Sequence, residues 1–280
     1  MASAGRVRIR KTYKLFVGGA FPRSESGRAY PVKDARGDVL AQAARASRKD
    51  LRDAIRSARG AFRSWSEKTA YNRGQILYRV AELLEGRRAQ FEEEIARSGG
   101  RKPARELDAA IDRWVWYAGW CDKVHHVMGT VNPVAGPYFV FTIPEPTGVV
   151  GIVAPDEPAL LGLVSRLAPA IVSGNTAVVL ASETKPLPAV TLAEVLATSD
   201  VPPGVVNVLT GLRSELVPHL AGHMDVNAID VTGVPREMRA DTEKLAAENV
   251  KRVVFAKSDE SPYEITAFTE MKTVWHPMGA

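Results

Sequence analysis

The chain has 280 residues, of which 45% are apolar and 25% charged, a balance that excludes wholesale disorder and suits one large folded unit or two small ones. No apolar run approaches the roughly 18–20 residues of a membrane helix, and the basic N-terminus has no apolar stretch behind it, so neither a membrane span nor a secretory signal is expected. The net charge is +5, and Arg6, Arg8, Arg10, Lys11 and Lys14 account for all of it, so the excess reads as a solvated tail rather than a nucleic-acid-binding face.

In chain order, residues 15–21 (LFVGGAF) read as a strand or hairpin start that turns at Gly18-Gly19. A helix is predicted from Ser47 as its N-cap, with Asp50 in the first turn and Leu51, Ile55, Ala58, Phe62 and Trp65 as one apolar stripe. A second helix starts near Asn72 and turns Ile76, Val80, Leu83 and Leu84 inward, and Glu92, Glu93 and Glu94 with nearby arginines read as a solvated helix face. A third follows Pro103 and crowds Trp114, Trp116, Tyr117 and Trp120 together, a core pattern. Just beyond lies Cys121, the only cysteine. Alone, it excludes a disulfide framework and a multi-cysteine metal site, and it points to a reducing, cytoplasmic setting.

From Tyr138 the rhythm changes. YFVFTI (138–143) and TGVVGIVA (147–154) read as strands joined by a Pro-Glu-Pro turn. A helix over 158–173, ended by Gly174, leads to a strand over 176–180 and a helix over 186–199. Strands over 205–209 and 227–231, a helix over 235–248 and a strand over 252–255 complete the pattern. Short apolar runs alternating with helices mean parallel βαβ units covered on both faces. His219 and His223 stand four apart without a third ligand, so no metal site is expected.

Three stretches occur in this order: TGVVGIVAP (147–155), LAPAIVSGNTAVVL (167–180) and PPGVVNVLTG (202–211). With the entry LFVGGAF they resemble the N-terminal, cofactor-binding half of an aldehyde dehydrogenase, over about residues 14–255. The opening RKTYKLFVGGAFPRSESGR (10–28) is most similar to the pseudo-catalytic module of the large two-module members. The run ITAFTEMKTVWHP (265–277) is similar to the family's C-terminal oligomerisation strand. The resemblance implies an α/β fold with a doubly wound, Rossmann-like parallel sheet in residues 1–260 and a small antiparallel oligomerisation arm. That arm takes strands near 137–153, both runs 138–143 and 147–153 included, and a C-terminal strand in 261–280. The catalytic domain is absent.

In the family, a cysteine downstream of the cofactor domain forms a thiohemiacetal and a hydride then passes to NAD(P). By the resemblance, that nucleophile is missing, since Cys121 lies upstream and reads as a buried inert thiol. The oxyanion-hole amide is replaced by Glu157 in Pro155-Asp156-Glu157, and the general base by Ala256. The lysine that bonds the adenine ribose is replaced by Leu180, and its neighbouring glutamate survives as Glu183. The serine of the pyrophosphate turn is replaced by Val234, followed by Pro235, which has no N–H. Glu215 competes with phosphate, whereas Arg213 could attract it.

These replacements imply no catalytic residue and no bound NAD(P). The expected function is a non-catalytic subunit that pairs with a full-length aldehyde dehydrogenase, with Phe139, Phe141, Met271 and Trp275 at the interface and no nucleic acid or membrane partner. Asp156 and Glu157 then form a polar loop facing a partner, in preference to an acid–base pair. The alternatives are an NAD(P)-dependent aldehyde oxidoreductase activity carried only within a complex, or a stand-alone nucleotide- or metabolite-binding protein.

Overall fold

A computed structural model describes residues 11–258 and 260–279. Of the basic tail, Arg6, Arg8 and Arg10 lie outside the described residues, and Lys11 pairs with Glu194 at 2.6 Å.

The chain opens on β1 (Thr12–Tyr13), β2 (Ala29–Lys33) and β3 (Val39–Ala44), a small sheet in the order β1-β3-β2. Residues 15–21 form no regular strand. Phe16 bridges Val208, and Val17 bridges Ala20 around the Gly18-Gly19 turn, where both glycines have positive φ. A Cβ on Gly19 would sit 2.9 Å from Pro203, so only glycine lets the turn approach that loop.

Next comes α1 (Arg48–Ser66), which begins at the predicted cap. Ser47 Oγ accepts from the Lys49 and Asp50 N–H groups, and Asp50 accepts from the Ser47 N–H in return. Leu51, Ile55, Ala58 and Trp65 are buried along the stripe, and Phe62 is half-buried. Four helices follow: α2 (Ala70–Gly86), α3 (Arg88–Arg97), α4 (Pro103–Ala118) and α5 (Val124–Met128). The solvated face expected around α3 is only partly so. Glu92 and Glu93 pair with Arg88 and Arg97, but Glu94 is buried and accepts from the Tyr13 hydroxyl at 2.7 Å. Trp114 and Tyr117 are fully buried, with Trp116 and Trp120 packed beside them.

Beyond β4 (Thr130–Asn132) and β5 (Tyr138–Pro146) the chain enters the main sheet. There β6 (Val149–Val153), α6 (Ala159–Val172), β7 (Thr176–Leu180), α7 (Leu187–Leu196) and β8 (Val206–Leu209) are followed by α8 (Arg213–Gly222), β9 (Ala228–Asp230), α9 (Arg236–Ala247) and β10 (Arg252–Val254). The five strands are parallel, in the order β10-β9-β6-β7-β8. Side chains alternate between two apolar layers. Val150, Ile152, Ala177 and Val179 join the layer under α2, α4 and α6, whereas Val149, Val153, Val178 and Leu180 join the layer under α1 and α8. The doubly wound α/β architecture is thus present.

Finally, α10 (Pro262–Thr266) turns the chain back, and β11 (Thr269–Pro277) completes a third sheet, antiparallel throughout, in the order β11-β5-β4. Two expectations are corrected here. Residues 147–153 do not join the arm: β6 is the central strand of the parallel sheet, and Pro144 to Pro146 extend β5 instead of turning. The fully apolar VVGIV run needs cover on both faces, which a solvated arm does not provide. Nor does the arm begin at residue 261. Ile265 and Phe268 are buried in the main core, and Glu264 pairs with Arg166 of α6 at 3.0 Å, so the arm leaves the body at Thr269. Among the described residues, no helix is long and apolar enough to cross a membrane.

One buried amide joins these parts. Asn175 Oδ1 accepts from the Gly148 N–H at 2.8 Å, and its Nδ2 donates to the carbonyls of Ala170 (2.9 Å) and Phe268 (2.8 Å). Asn175→Ala leaves the Gly148 N–H and the Ala170 carbonyl unpaired at about 1–3 kcal/mol each, while the Phe268 carbonyl keeps the Thr147 N–H at 3.2 Å. The variant is expected to lose about 3 kcal/mol in total, read as a lower urea midpoint at unchanged m-value.

Candidate functional site

Parallel strands point their C-terminal ends to one edge, and the loops that follow them form the crevice in which such folds bind ligands. Here these are the loops after β6, β7, β8, β9 and β10. One guanidinium crosses the crevice. Arg213, nearly buried in the first turn of α8, donates to the two carboxylate oxygens of Asp156 at 2.7 and 2.9 Å and to the Ala154 carbonyl at 2.6 Å. Asp156 also accepts from the Ser182 hydroxyl at 2.6 Å. The backbone N–H of Arg213, at the start of α8, donates to Glu183 Oε2 at 2.8 Å. Lys185 pairs with Glu157, and Arg45 with Glu215.

Protonation follows from these contacts. Burial pushes the Asp156 carboxyl up, but the bonds from Ser182 and Arg213 outweigh it and hold the group below the usual carboxylate range. The hydrogen bond from Lys185 holds exposed Glu157 below its usual range as well. Neither carboxyl is tuned toward neutral pH, as an acid–base pair requires. Cys121 lies elsewhere, beyond α4, and burial pushes its thiol up to about 12, a group without thiolate character at neutral pH.

A dinucleotide pyrophosphate needs free backbone N–H groups at a helix start and a cation beside them. Both are present, and both are taken by the chain's own carboxylates, Glu183 and Asp156. Leu180 and Val234, each 2% exposed, lie in the apolar layer with Val153 and Val231. Gly233 backs onto the end of β6, where a Cβ would fall 2.2 Å from the Ala154 oxygen. Ala256 offers only its backbone N–H, which donates to Thr232 Oγ1 at 3.1 Å. The residues present do not fit an NAD(P) pyrophosphate, and Arg213, read from the sequence as able to attract phosphate, is already neutralised.

The four arm residues are brought together but split between faces. Phe139 and Phe141 share one face, their rings 5.6 Å apart, while Met271 and Trp275 share the other, where Trp275 meets Tyr138 at 5.8 Å. His219 and His223 line the same cleft, and no metal-holding cluster occurs among the described residues. Sequence reasoning missed two features. The Asp156–Arg213 pair spans 57 positions, and no local spacing announces it. Asp230 is a fully buried carboxylate at the end of β9. It accepts from the Thr232 N–H at 2.8 Å through one oxygen, and the other has no partner. An acid inside the apolar NAIDV run was the available signal.

Three outcomes are expected. Asp156→Ala strands a nearly buried guanidinium and is expected to cost about 2 kcal/mol, measured by urea unfolding. Restoring Lys at 180 and Ser at 234 is expected to destabilise the chain without yielding NAD+ affinity in calorimetry, because both positions face the core. For Asp230, burial raises the carboxyl above its usual range. Its stabilising contribution is therefore complete below about pH 4 and is lost as pH rises through the raised folded value. Asp230→Asn removes that loss, so its Tm is expected to exceed that of the parent at pH 8, with the gap closing toward pH 4.5.

The aldehyde dehydrogenase family profile matches residues 21–276. Retinal dehydrogenase 2 of Homo sapiens is 33% identical over 269 residues, which take in 93% of this chain and 51% of that protein. Aldehyde dehydrogenase family 2 member B4, mitochondrial, of Arabidopsis thaliana is 32% identical over 257 residues, 89% of this chain and 47% of its own length. Among solved structures, the NAD+ complex of aldehyde dehydrogenase from Bacillus cereus superposes with a TM-score of 0.81 at 26% identity, over 88% of this chain and 50% of that one. HpcC from Thermus thermophilus gives 0.83 at 30% identity, over 88% and 48%. The chain spans about half the length of the relatives it matches. With the doubly wound sheet, the arm and this kinship over nearly its whole length, it belongs to the aldehyde dehydrogenase family.

Proposed function

We propose that the chain is a non-catalytic family member that pairs with a full-length aldehyde dehydrogenase through its arm sheet. The arm carries this reading. β11 is an edge strand, and eight of its nine residues are exposed. Met271 is 49% and Trp275 58% exposed on one face, and Phe139 is 44% exposed on the other. One face of this three-stranded sheet is partly covered, since Val140, Thr142 and Pro144 are buried, but its β11 edge is open and β11's own side chains are exposed, an unstable arrangement alone. Adding β11 to a partner's sheet pairs its free N–H and C=O groups, and the partner's side chains cover the rings. Lys272 pairs with Glu145 and Arg252 with Glu270, which hold β11 in one register for docking.

The choice of partner rests on what each candidate offers. Family dimers set arm strands beside the partner's catalytic-domain sheet. In this chain residues 255–268 connect β10 directly to β11 through α10, so a second copy offers no such sheet where a full-length enzyme does. The degenerate positions Glu157 and Ala256 and the buried Cys121 agree with a supporting role.

The isolated chain is expected to produce no NAD(P)H from acetaldehyde above a blank, and Cys121→Ala is expected to change nothing. Removing residues 270–280 spares Phe268, the buried root of the arm. The truncated chain is expected to keep its circular dichroism but to stop co-purifying with a co-expressed full-length aldehyde dehydrogenase. Trp275→Glu in the intact chain is expected to weaken the same capture. Undiminished capture by both variants would move the interface to another surface.

A further inference from the structure

Outside its first 14 residues the chain is electrically balanced, yet one face of the body is strongly cationic. Where the first turns of α1 meet the end of α8, a cleft of about 880 Å3 opens, with Arg28, Arg48, Lys49 and Arg52 on one side and Met224 and Leu245 on the other. Arg48, Arg52 and Arg56 follow at four-residue steps, so they stand on one helix face about 6 Å apart along the axis.

Four carboxylates of this face are already engaged. Glu25 accepts from Ser47 Oγ at 2.9 Å and faces Lys49 at 3.5 Å. Asp53 takes both donors of Arg52. Asp50 turns inward to the cap and to Ser24. Glu215, which also lies in the field of Arg28, is held by Arg45. Among the described residues, the side chains of Arg28, Arg48 and Arg56 make no ion pair or hydrogen bond. His223, across the cleft, lies in the field of exposed Asp225 on one side and of Lys251, Arg48 and Arg56 on the other, three cations against one carboxylate. Arg48 and Lys49 also occupy the first turn of a 19-residue helix, where cations oppose the helix dipole. An anion bound here relieves that opposition.

We propose that this cleft binds a small polyanion carrying two or more phosphate or carboxylate groups, gripped by Arg28 and Arg48, with Met224 and Leu245 as an apolar wall for the ligand body and Arg56 adding positive field from eight residues further along α1. Guanidinium forks suit such groups by bidentate geometry, and the 6 Å step selects charges at separated points over a single monoanion.

Calorimetric titration of the full chain with tripolyphosphate, and separately with citrate, at 50 mM NaCl tests this. At least one of the two is expected to bind with a Kd of about 10–100 µM, weakening markedly at 300 mM NaCl. Arg28→Gln/Arg48→Gln is expected to lose at least about tenfold in affinity, with an unliganded Tm equal to or above the parent's, because both side chains are exposed and one opposes the dipole. Arg101→Gln/Lys102→Gln, the same charge loss at another surface, is expected to retain affinity within about twofold. The proposal is overturned if neither probe binds tighter than about 1 mM, or if the two double variants lose affinity equally, which marks diffuse charge attraction. It is also overturned if single-stranded RNA binds while both small anions fail.

Discussion

The carbonyls at the end of a helix need partners, and the C-terminal turn of α6 finds three of them in side chains from elsewhere. The Trp65 indole donates to the Ile171 carbonyl, Arg73 donates to Val172, and Asn175 donates to Ala170. Each donor arrives from a different element: the end of α1, the start of α2 and the turn before β7. Gly174 permits this crowding, since its φ is +107° and a Cβ there would meet Ser66 at 2.9 Å. The helices of the first third are thus fastened to the middle of the parallel sheet at one point. Asn175 extends the same junction to Gly148 at the entry of β6 and to Phe268 at the root of the arm.

The crevice obeys a similar accounting of charge. A nearly buried guanidinium is tolerated only with a counter-ion, and Asp156 supplies it from the loop where the family places an oxyanion donor. Glu183 likewise satisfies the start of α8. The edge of the sheet is thus held by its own side chains.

Local features were legible in the sequence, and non-local ones were not. Ser47 with Asp50 announced α1, and the TAVVL run announced β7, because capping and strand periodicity are encoded within a few residues. β2 and β3 went unread: AYPVK carries a proline and VLAQAA is rich in alanine, so neither has strong β propensity. The sheet of VVGIV was misassigned because strand character says nothing about which strand will be its neighbour. Its partners lie near residues 176 and 228. Glu94 shows the same limit at a single side chain. Its neighbours in sequence are solvated, and only the return of Tyr13 from β1 buries it. At the site, the apolar character of Leu180 and Val234 was visible, but their orientation into the core and the Asp156–Arg213 closure required the assembled fold.

The pairing of β11 with β5 also imposes an order in time. β5 ends at residue 146 and its edge partner begins at residue 269. At ribosomal rates of 5–20 residues per second, roughly 6–25 s separate the emergence of the two. For that interval Phe139 and Phe141 belong to an incomplete ribbon beside a body that is already assembling. The β11 edge exists only after Phe268 has reached its place under Asn175, so a partially synthesised chain has no complete arm. Completion of the arm is therefore a late event by construction, and it follows the closing of the parallel sheet behind it.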